Sequence, residues 1–386
     1  MNTLRQPILI SGAGIGGLTA AVALKQKGFN VEIFERRTEP ELEEGTALNI
    51  WTNAIQALDY IGLKDKISSK GARIERSEIR SIDGKLLIEN ETRELVEQLG
   101  APSISIRRSE LVKVLLASLD DVVVHYASRC QSFTQNENGV TLTLDGGRDV
   151  SGSMLIGADG IHSTLRGYVV GDEGPTYLGQ TVWRGISKVD GGLEPGTFHM
   201  VWGRGTVVGG CYRIDPSHVC WFVGTNAPPG GKDEQGTVLS YLLGLLKNTK
   251  GPLIPVVEST PEDEIIRTDL YARSNAKQWF KGRIALLGDA VHAMPTALGQ
   301  GACQAIEDAI VLAESLAAAS DIEAGLADYE RKRVPRVNWV RGEVYKIARF
   351  QEFKNPAMCW LRNHIVQFVP PKASRKMWHG LLSFSV

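Results

Sequence analysis

The chain has no apolar run long enough to cross a bilayer, so stable membrane insertion is not expected. It has almost no net charge: 43 Lys and Arg against 44 Asp and Glu leave −1, which gives no reason to expect nucleic acid as a partner. Cysteine is scarce and scattered, at Cys130, Cys211, Cys220, Cys303 and Cys359. No two have metal-finger spacing, and an odd count in a chain of 386 residues argues for reduced thiols in a cytoplasmic protein rather than a disulfide framework. The start of the chain lacks the charged region, apolar core and cleavage site of a secretory signal, which points the same way. The seven histidines are dispersed, so metal catalysis is not expected, and His292 is read as a packing residue. No G-x-S-x-G elbow is present, which removes a serine hydrolase. Internal repeats and low-complexity segments are also missing. What remains, at 43% hydrophobic and 23% charged, is a soluble globular chain of two or three domains.

The most informative stretch that is present runs from Arg283 to Ala309. Ile284 to Leu287 reads as a buried strand, broken by Gly288 and ending at Asp289. A loop with Pro295, Gly299 and Gly301 follows, then a helix with apolar positions at Ile306, Ala309, Ile310, Ala313 and Leu316. An acid at a strand end can accept from a ligand hydroxyl. Loop N–H groups and a helix amino terminus favour negative charge, and glycine lets the backbone approach closely. An ordinary strand–turn–helix connection is the bland alternative.

The amino-terminal segment has the same grammar. The strand Pro7 to Ile10 enters a turn in which Gly12, Gly14 and Gly17 have G-x-G-x-x-G spacing. A helix with Leu18, Ala21, Val22 and Leu24 inside follows, then a strand Val31 to Phe34 ending in Glu35. This order, with an acid about 20 residues on, is the context a dinucleotide-binding fingerprint requires. The first glycine makes the turn, the second admits a pyrophosphate and the third packs helix on strand. Glu35 would accept from an adenosine ribose hydroxyl.

Residues 45–63 read as strand, turn and amphipathic helix, with Thr52 or Asn53 as a cap. Arg108 starts another helix, where a cation opposes the dipole, so an anion contact and a solvated surface position compete. Residues 122–150 form a β-meander. The core strand Met154 to Ala158 then ends in Asp159-Gly160, with Ser163 and Arg166 beyond. Residues 176–273 are richer in Trp, Tyr, Phe and Val, and read as a mostly antiparallel sheet with one face buried and one over a ligand. From Arg331 onward twelve Lys/Arg stand against Glu343 and Glu352, interleaved with Trp360, Phe368, Trp378 and Phe384. A solvated helical face is preferred there, with a membrane-surface or apolar-substrate contact as the minority reading.

Taken together, the three glycine–acid signatures resemble the single-component FAD-dependent aromatic hydroxylases (group A flavoprotein monooxygenases). The resemblance covers residues 5–345. It implies an α/β fold: a Rossmann-like FAD-binding domain with a β-meander, an antiparallel substrate-binding sheet and C-terminal helices. The boundaries expected are 1–175 and 274–330 for the FAD-binding domain, 176–273 for the substrate sheet and 331–386 for a C-terminal helical segment. It also implies that Gly12, Gly14, Ile15 and Gly17 hold the FAD pyrophosphate and Glu35 and Arg36 the AMP ribose end. Arg108 falls at the ribityl-phosphate, Asp159 on FAD and the transient nicotinamide, and Asp289 on a ribityl hydroxyl. Gly299, Gln300, Gly301 and Ala302 would offer backbone N–H groups to the flavin ring.

The implied reaction is NAD(P)H-dependent hydroxylation or epoxidation of an aromatic or conjugated small molecule with molecular oxygen, through a C4a-hydroperoxyflavin. No second nucleotide fold is visible, which fits a reductant that docks transiently. Arg184, Tyr212 and Trp221 are the pocket candidates, and His199 and Tyr271 are further candidates for a base. Three positions depart from the family pattern: Thr296 where proline is common, Ser274 where an Arg-x-Pro turn is frequent, and Cys303 in place of a frequent asparagine. A flavin-dependent dehydrogenase or reductase, and an FAD-binding protein without catalysis, are the competing readings.

Overall fold

The computed structural model describes residues 6–40, 47–171, 174–203, 205–351 and 353–386. Gly45 and Thr46, expected to open a strand, and Glu352 lie outside them. In the first half of the chain, β1 (Ile8–Ser11), α1 (Ile15–Gln26), β2 (Val31–Phe34), β3 (Ala47–Ile50), α2 (Thr52–Asp59) and α3 (Lys64–Ser68) are followed by β4 (Ala72–Ile74), β5 (Arg76–Ser81) and β6 (Leu86–Glu91). Then come α4 (Arg93–Leu99), β7 (Ser103–Arg107), α5 (Arg108–Leu116), β8 (Val124–His125), β9 (Cys130–Asn136), β10 (Gly139–Leu144), β11 (Asp149–Gly152), β12 (Met154–Gly157) and α6 (Arg166–Val169). The second half contains β13 (Thr176–Ser187), β14 (Thr197–Trp202), β15 (Val208–Asp215), β16 (His218–Asn226), α7 (Val238–Leu245), α8 (Leu253–Glu258), β17 (Ile266–Ala272), β18 (Phe280–Lys281) and β19 (Ile284–Leu286). It closes with α9 (Asp289–His292), α10 (Gly301–Ala318), α11 (Ile322–Gln351), α12 (Pro356–Ile365) and α13 (Pro371–Leu382).

Three of these strands come from distant parts of the sequence and meet in one sheet, parallel except for its edge strand β18. Its order is β18-β19-β12-β1-β2-β8, so the strands ending at Ser11, Gly157 and Leu286 lie side by side. Parallel strands end at the same edge of a sheet, which is why all three glycine–acid turns open into one crevice. Both faces of such a sheet are covered, so Ile8 to Ile10, Met154 to Ile156 and Ile284 to Leu286 are all buried. Each fully buried Leu or Ile there contributes about 1.5–3 kcal/mol of burial free energy.

The second large sheet has the order β17-β13-β16-β15-β14-β5-β6. It is antiparallel except where β14 pairs in parallel with β5, Thr197 opposite Arg76 and Trp202 opposite Ser81. The expected boundary at 175/176 is therefore corrected: β5 and β6 belong to this sheet, although they precede residue 176. Alternation along a strand reports its two faces but not the strand it will pair with. The boundary at 330/331 is corrected too, because α11 runs unbroken from Ile322 to Gln351. The meander is the three-stranded sheet β11-β10-β9.

Side chains of the second sheet separate by parity. Val182, Arg184, Phe198, Met200, Trp202, Tyr212 and Phe222 face a cavity toward the parallel sheet. Trp183, Val201, Cys211, Val219, Trp221 and Val223 pack with Leu242 of α7 and Val256 of α8 on the other face. No described helix is long and apolar enough to cross a membrane.

Candidate active site

The three amino-terminal glycines have three different surroundings. Gly12 has φ +110°, and a Cβ there would stand 2.3 Å from Ala158 O. A Cβ on Gly17 would stand 2.0 Å from Gly12 O, so this glycine sets how closely α1 approaches the turn. A Cβ on Gly14 would meet nothing within 4 Å. Gly14 caps α1, Gly14, Ile15 and Gly16 line the cavity, and α1 has no acid in its first turn. An open, acid-free helix amino terminus is a receptor for an anion.

Glu35 is buried, and its carboxylate accepts from Ala13 N at 2.8 Å and Arg37 N at 2.9 Å. With Ala13, Arg37, Val112, Leu116 and Tyr126 it lines a small cleft beside the main cavity. Arg36 is corrected: it is exposed and lines neither space, whereas Arg37 lines the cleft.

Asp289 starts α9 and opens into the cavity, and its side chain makes no hydrogen bond or ion pair among the described residues. What holds it there was not evident in the sequence. Asp308 of α10 accepts from Gly288 N at 2.9 Å, from His292 Nε2 at 2.6 Å and from Arg333 Nε at 2.7 Å. Arg333 also donates to Glu307 at 2.5 Å, and Asn53 Nδ2 donates to Glu307 at 2.6 Å. All five side chains are buried. Burial alone would raise both acids, but the cations beside them hold Glu307 and Asp308 below their ordinary range.

Arg166 donates to the carbonyls of Ala290, Val291 and Ser274, and Arg341 to those of His292, Ala293 and Arg273. Three basic side chains of the C-terminal segment, Arg333, Arg341 and Arg362, are thus buried, and the solvated-face reading of residues 331–386 fails for them. The capping expectation for Asn53 and Thr52 is likewise corrected. The N-cap of α2 is Trp51, Asn53 reaches Glu307, and Thr52 Oγ1 donates to Ala101 O.

The loop 294–299 borders the cavity throughout. Pro295 is buried, and Gly299 N donates to Thr296 O at 3.0 Å, so a turn closes the loop at the position that lacks proline. Trp51, the N-cap of α2, fastens the same loop through Nε1, which donates to Leu298 O at 3.0 Å, and its N donates to Cys303 Sγ of α10 at 3.4 Å. Gly299 has φ +61°, and a Cβ there would stand 3.1 Å from the Trp51 ring nitrogen. Gly301 and Ala302 begin α10 at the cavity wall, whereas the Gln300 side chain turns inward, accepting from Asn53 and Gln304. Arg108 is half-buried and lines the cavity. Asp159 lies at its edge. Its carboxylate accepts from Thr164 N at 2.9 Å, while Ala158 and Gly160 on either side line the cavity.

The cavity has a volume of about 1110 Å³ and extends from Gly14, Asp289 and Gly301 across the inner face of the second sheet. Arg184 stands half-buried in this chamber with no ion pair among the described residues. Tyr212 stacks on Phe198 at 5.1 Å. Burial pushes the Tyr212 phenol well above its ordinary value, and the Cys220 thiol adds to that, so Tyr212 is a neutral donor and not a base near neutral pH.

Trp221 is corrected. It borders the chamber, but its indole is fully buried on the opposite face, and its Nε1 donates to Thr260 Oγ1 at 2.8 Å. A Cβ at Gly185 would stand 2.8 Å from this ring, so Trp183-Arg184-Gly185 combines a packing site for Trp221 with one pocket residue, Arg184. His199 is corrected for the same parity reason: it is buried against Glu78, with Nδ1 2.6 Å from Oε1. Tyr271 pairs with Tyr177 at 5.3 Å and does not line the cavity. Sequence reading did not single out Met200, Trp202 and Phe222, which line it from two strands, while Trp378, given an apolar-substrate contact only as the minority reading, lines it from α13.

FAD fits these residues. Gly14 leaves ligand space at a helix amino terminus, Asp289 is a free acceptor at the cavity wall, and one cavity is long enough to reach from the glycine turn to the α10 amino terminus.

The comparisons agree with this geometry. The family model described as FAD binding domain matches residues 5–341. The chain is 33% identical over 362 residues to aurachin C monooxygenase/isomerase of Stigmatella aurantiaca, with 94% of each chain covered. It is 30% identical over 332 residues to an FAD-dependent urate hydroxylase of Klebsiella pneumoniae, covering 85% of this chain and 86% of the relative. The crystal structure of Klebsiella pneumoniae HpxO with FAD and uric acid superposes with a TM-score of 0.89 at 26% identity, over 99% of both chains. The chain belongs to the FAD binding domain family, as an FAD-dependent oxidoreductase of its monooxygenase and hydroxylase branch.

Proposed function

We propose that this chain is an NAD(P)H-dependent FAD monooxygenase that hydroxylates or epoxidises an aromatic or conjugated small molecule held beside Arg184 and Tyr212. The supporting observation is the single cavity that joins the Gly14 and Asp289 turns to the chamber under the second sheet. A planar ring substrate is further supported by the relative named for urate.

Bound FAD supplies the redox chemistry, taking reducing equivalents from a nicotinamide cofactor and activating molecular oxygen for transfer. The residues of this chain do the remaining work. Gly14 and Ile15 would hold the pyrophosphate at the α1 amino terminus, on the turn that Gly12 and Gly17 pack tightly, Glu35 would orient the adenosine ribose, and Arg108 and Asp289 would hold the ribityl-phosphate arm. Gly299, Gln300, Gly301 and Ala302 would offer backbone N–H groups and the α10 dipole to the ring, where they favour negative charge. Asp159 keeps the strand-end turn in shape through Thr164. In the chamber, Arg184 pairs with an anionic or acceptor group of the substrate. Tyr212 donates a hydrogen bond from its protonated phenol and orients the ring edge. Apolar walls from Phe198, Met200 and Phe222 exclude water from the reacting edge.

The test is oxidation of NADH and NADPH by the purified, FAD-loaded protein, followed with phenols, quinolones and purines while peroxide is measured. The expected result is a compound that accelerates oxidation while peroxide falls. A flavin that no donor reduces would move the chain to the non-catalytic binding reading.

A further inference from the structure

Helix α12 is built inside out. Its one charged residue, Arg362, is 1% exposed, stacked 4.8 Å over the Trp202 ring and donating to Phe350 O at 3.2 Å. Its exposed residues are Pro356, Ala357, Met358, Trp360, Leu361 and Ile365, all apolar. The apolar surface continues through the turn Val366–Phe368, where Phe368 is 82% exposed, and on to Val369. Single exposed apolar residues need no explanation, but a contiguous patch of this kind marks a surface that is covered in use.

Charge identifies the cover. From Phe353 to Val386 there is no Asp or Glu. Lys354, Lys372, Arg375 and Lys376 are exposed around the patch. Among the described residues, the acids near it on neighbouring elements are Glu94, 3.2 Å from Arg375, and Glu89, exposed on β6. A two-fold contact between copies would set these lysines and arginines against each other, which disfavours self-association through this face. An anionic surface with an apolar interior satisfies both the cations and the patch.

The patch also borders the cavity. Ile365, Gln367 and Val369 line the same cavity that reaches Arg184, and Leu87, Ile88 and Phe350 form its apolar walls nearby. The surface that asks for lipid is thus continuous with the passage to the chamber.

We propose that the α12–α13 face docks peripherally on an anionic lipid bilayer, with Trp360, Leu361, Ile365 and Phe368 entering the interface and Lys372, Arg375 and Lys376 on the headgroups. The docking stands whatever the cavity oxidises. Its consequence for function is that an apolar substrate can pass from the bilayer into the cavity without crossing water.

The test is co-sedimentation of the FAD-loaded full chain with vesicles of phosphatidylcholine alone and with phosphatidylglycerol added, at low and high salt. The expected result is binding to the mixed vesicles that weakens with salt. The double variant W360S/F368S should bind about tenfold or more weakly, and K372E/K376E should lose the preference for phosphatidylglycerol. All four side chains are exposed, and unchanged melting temperature and flavin content will confirm folding. Failure of the wild-type chain to sediment with any vesicle overturns the proposal. So does equal binding by W360S/F368S, or a dimer in sedimentation velocity that F368S dissociates.

Discussion

Asp308 Oδ2 lies 2.6 Å from His292 Nε2, and both side chains are fully buried beneath the Gly288-Asp289 turn. The same oxygen accepts from Gly288 N, and Arg333 holds the other oxygen. The cavity-facing Asp289 is therefore positioned by a second acid that never meets the ligand. Removing one partner from such a cluster leaves buried charge uncompensated, at a cost of about 3–5 kcal/mol. Asp308→Ala should unfold at a much lower temperature than the parent chain and retain less FAD at temperatures where it is still folded. Thermal unfolding with and without FAD checks this. A variant that melts like the parent would remove the cluster from the account.

Gly14 and Gly17 separate ligand space from packing space. Gly14→Asp puts a favoured N-cap residue where a Cβ meets nothing, so the apoprotein should keep its stability. Its carboxylate would oppose the pyrophosphate, and FAD affinity should fall by about a hundredfold. Gly17→Ala places a Cβ 2.0 Å from Gly12 O, so it should destabilise the apoprotein by about 1–3 kcal/mol. Flavin titration and chemical denaturation of both variants distinguish the two roles.

These glycines were legible in the sequence because their spacing, the flanking strands and Glu35 all point to one structure. The fate of the second sheet was not. Read from sequence, Arg184, Tyr212 and Trp221 group as pocket residues, but the register between strands puts Trp221 with Trp183 on the face that α7 and α8 cover. Trp221 and His199 were misplaced for that reason, and β5 and β6 were missed as sheet members because pairing joins segments more than 100 residues apart. The buried cluster of Glu307, Asp308 and Arg333 gave no signal, since charged residues on a helix ordinarily mark its solvent face.

Stability should depend on pH through Glu78. Burial would raise its carboxyl, but hydrogen bonds from His199 and Arg80 lower it from 4.5 to about 2. A depressed folded-state value means that the unfolded chain takes up the proton first on acidification. The contribution is therefore complete above pH 4.5 and is lost as pH falls toward 2. Melting temperatures of the parent and Glu78→Gln should differ at neutral pH and converge below pH 4.5. A constant difference across that window would contradict the assignment.

Arg184 lines the chamber and has no ion-pair partner among the described residues. Arg184→Met should leave FAD affinity and melting temperature unchanged. It should raise KM for an anionic substrate by about 10- to 150-fold, the value of one charge-assisted hydrogen bond. Steady-state kinetics on the substrate found in the NAD(P)H assay check it. An effect on FAD binding instead would place Arg184 at the cofactor.

The central claim is that the cavity joining the glycine turns to the Arg184 chamber carries out oxygen insertion. The most direct measurement is a turnover experiment under ¹⁸O₂, with FAD, a nicotinamide donor and a compound that accelerates donor oxidation, followed by mass spectrometry of the product. One ¹⁸O atom per product molecule is the predicted result, with the rate of labelled product formation falling in Gly14→Asp at limiting FAD and in Arg184→Met at limiting substrate. A product that is dehydrogenated without gaining oxygen, or that takes its oxygen from water, would contradict the claim and make the chain a flavin dehydrogenase.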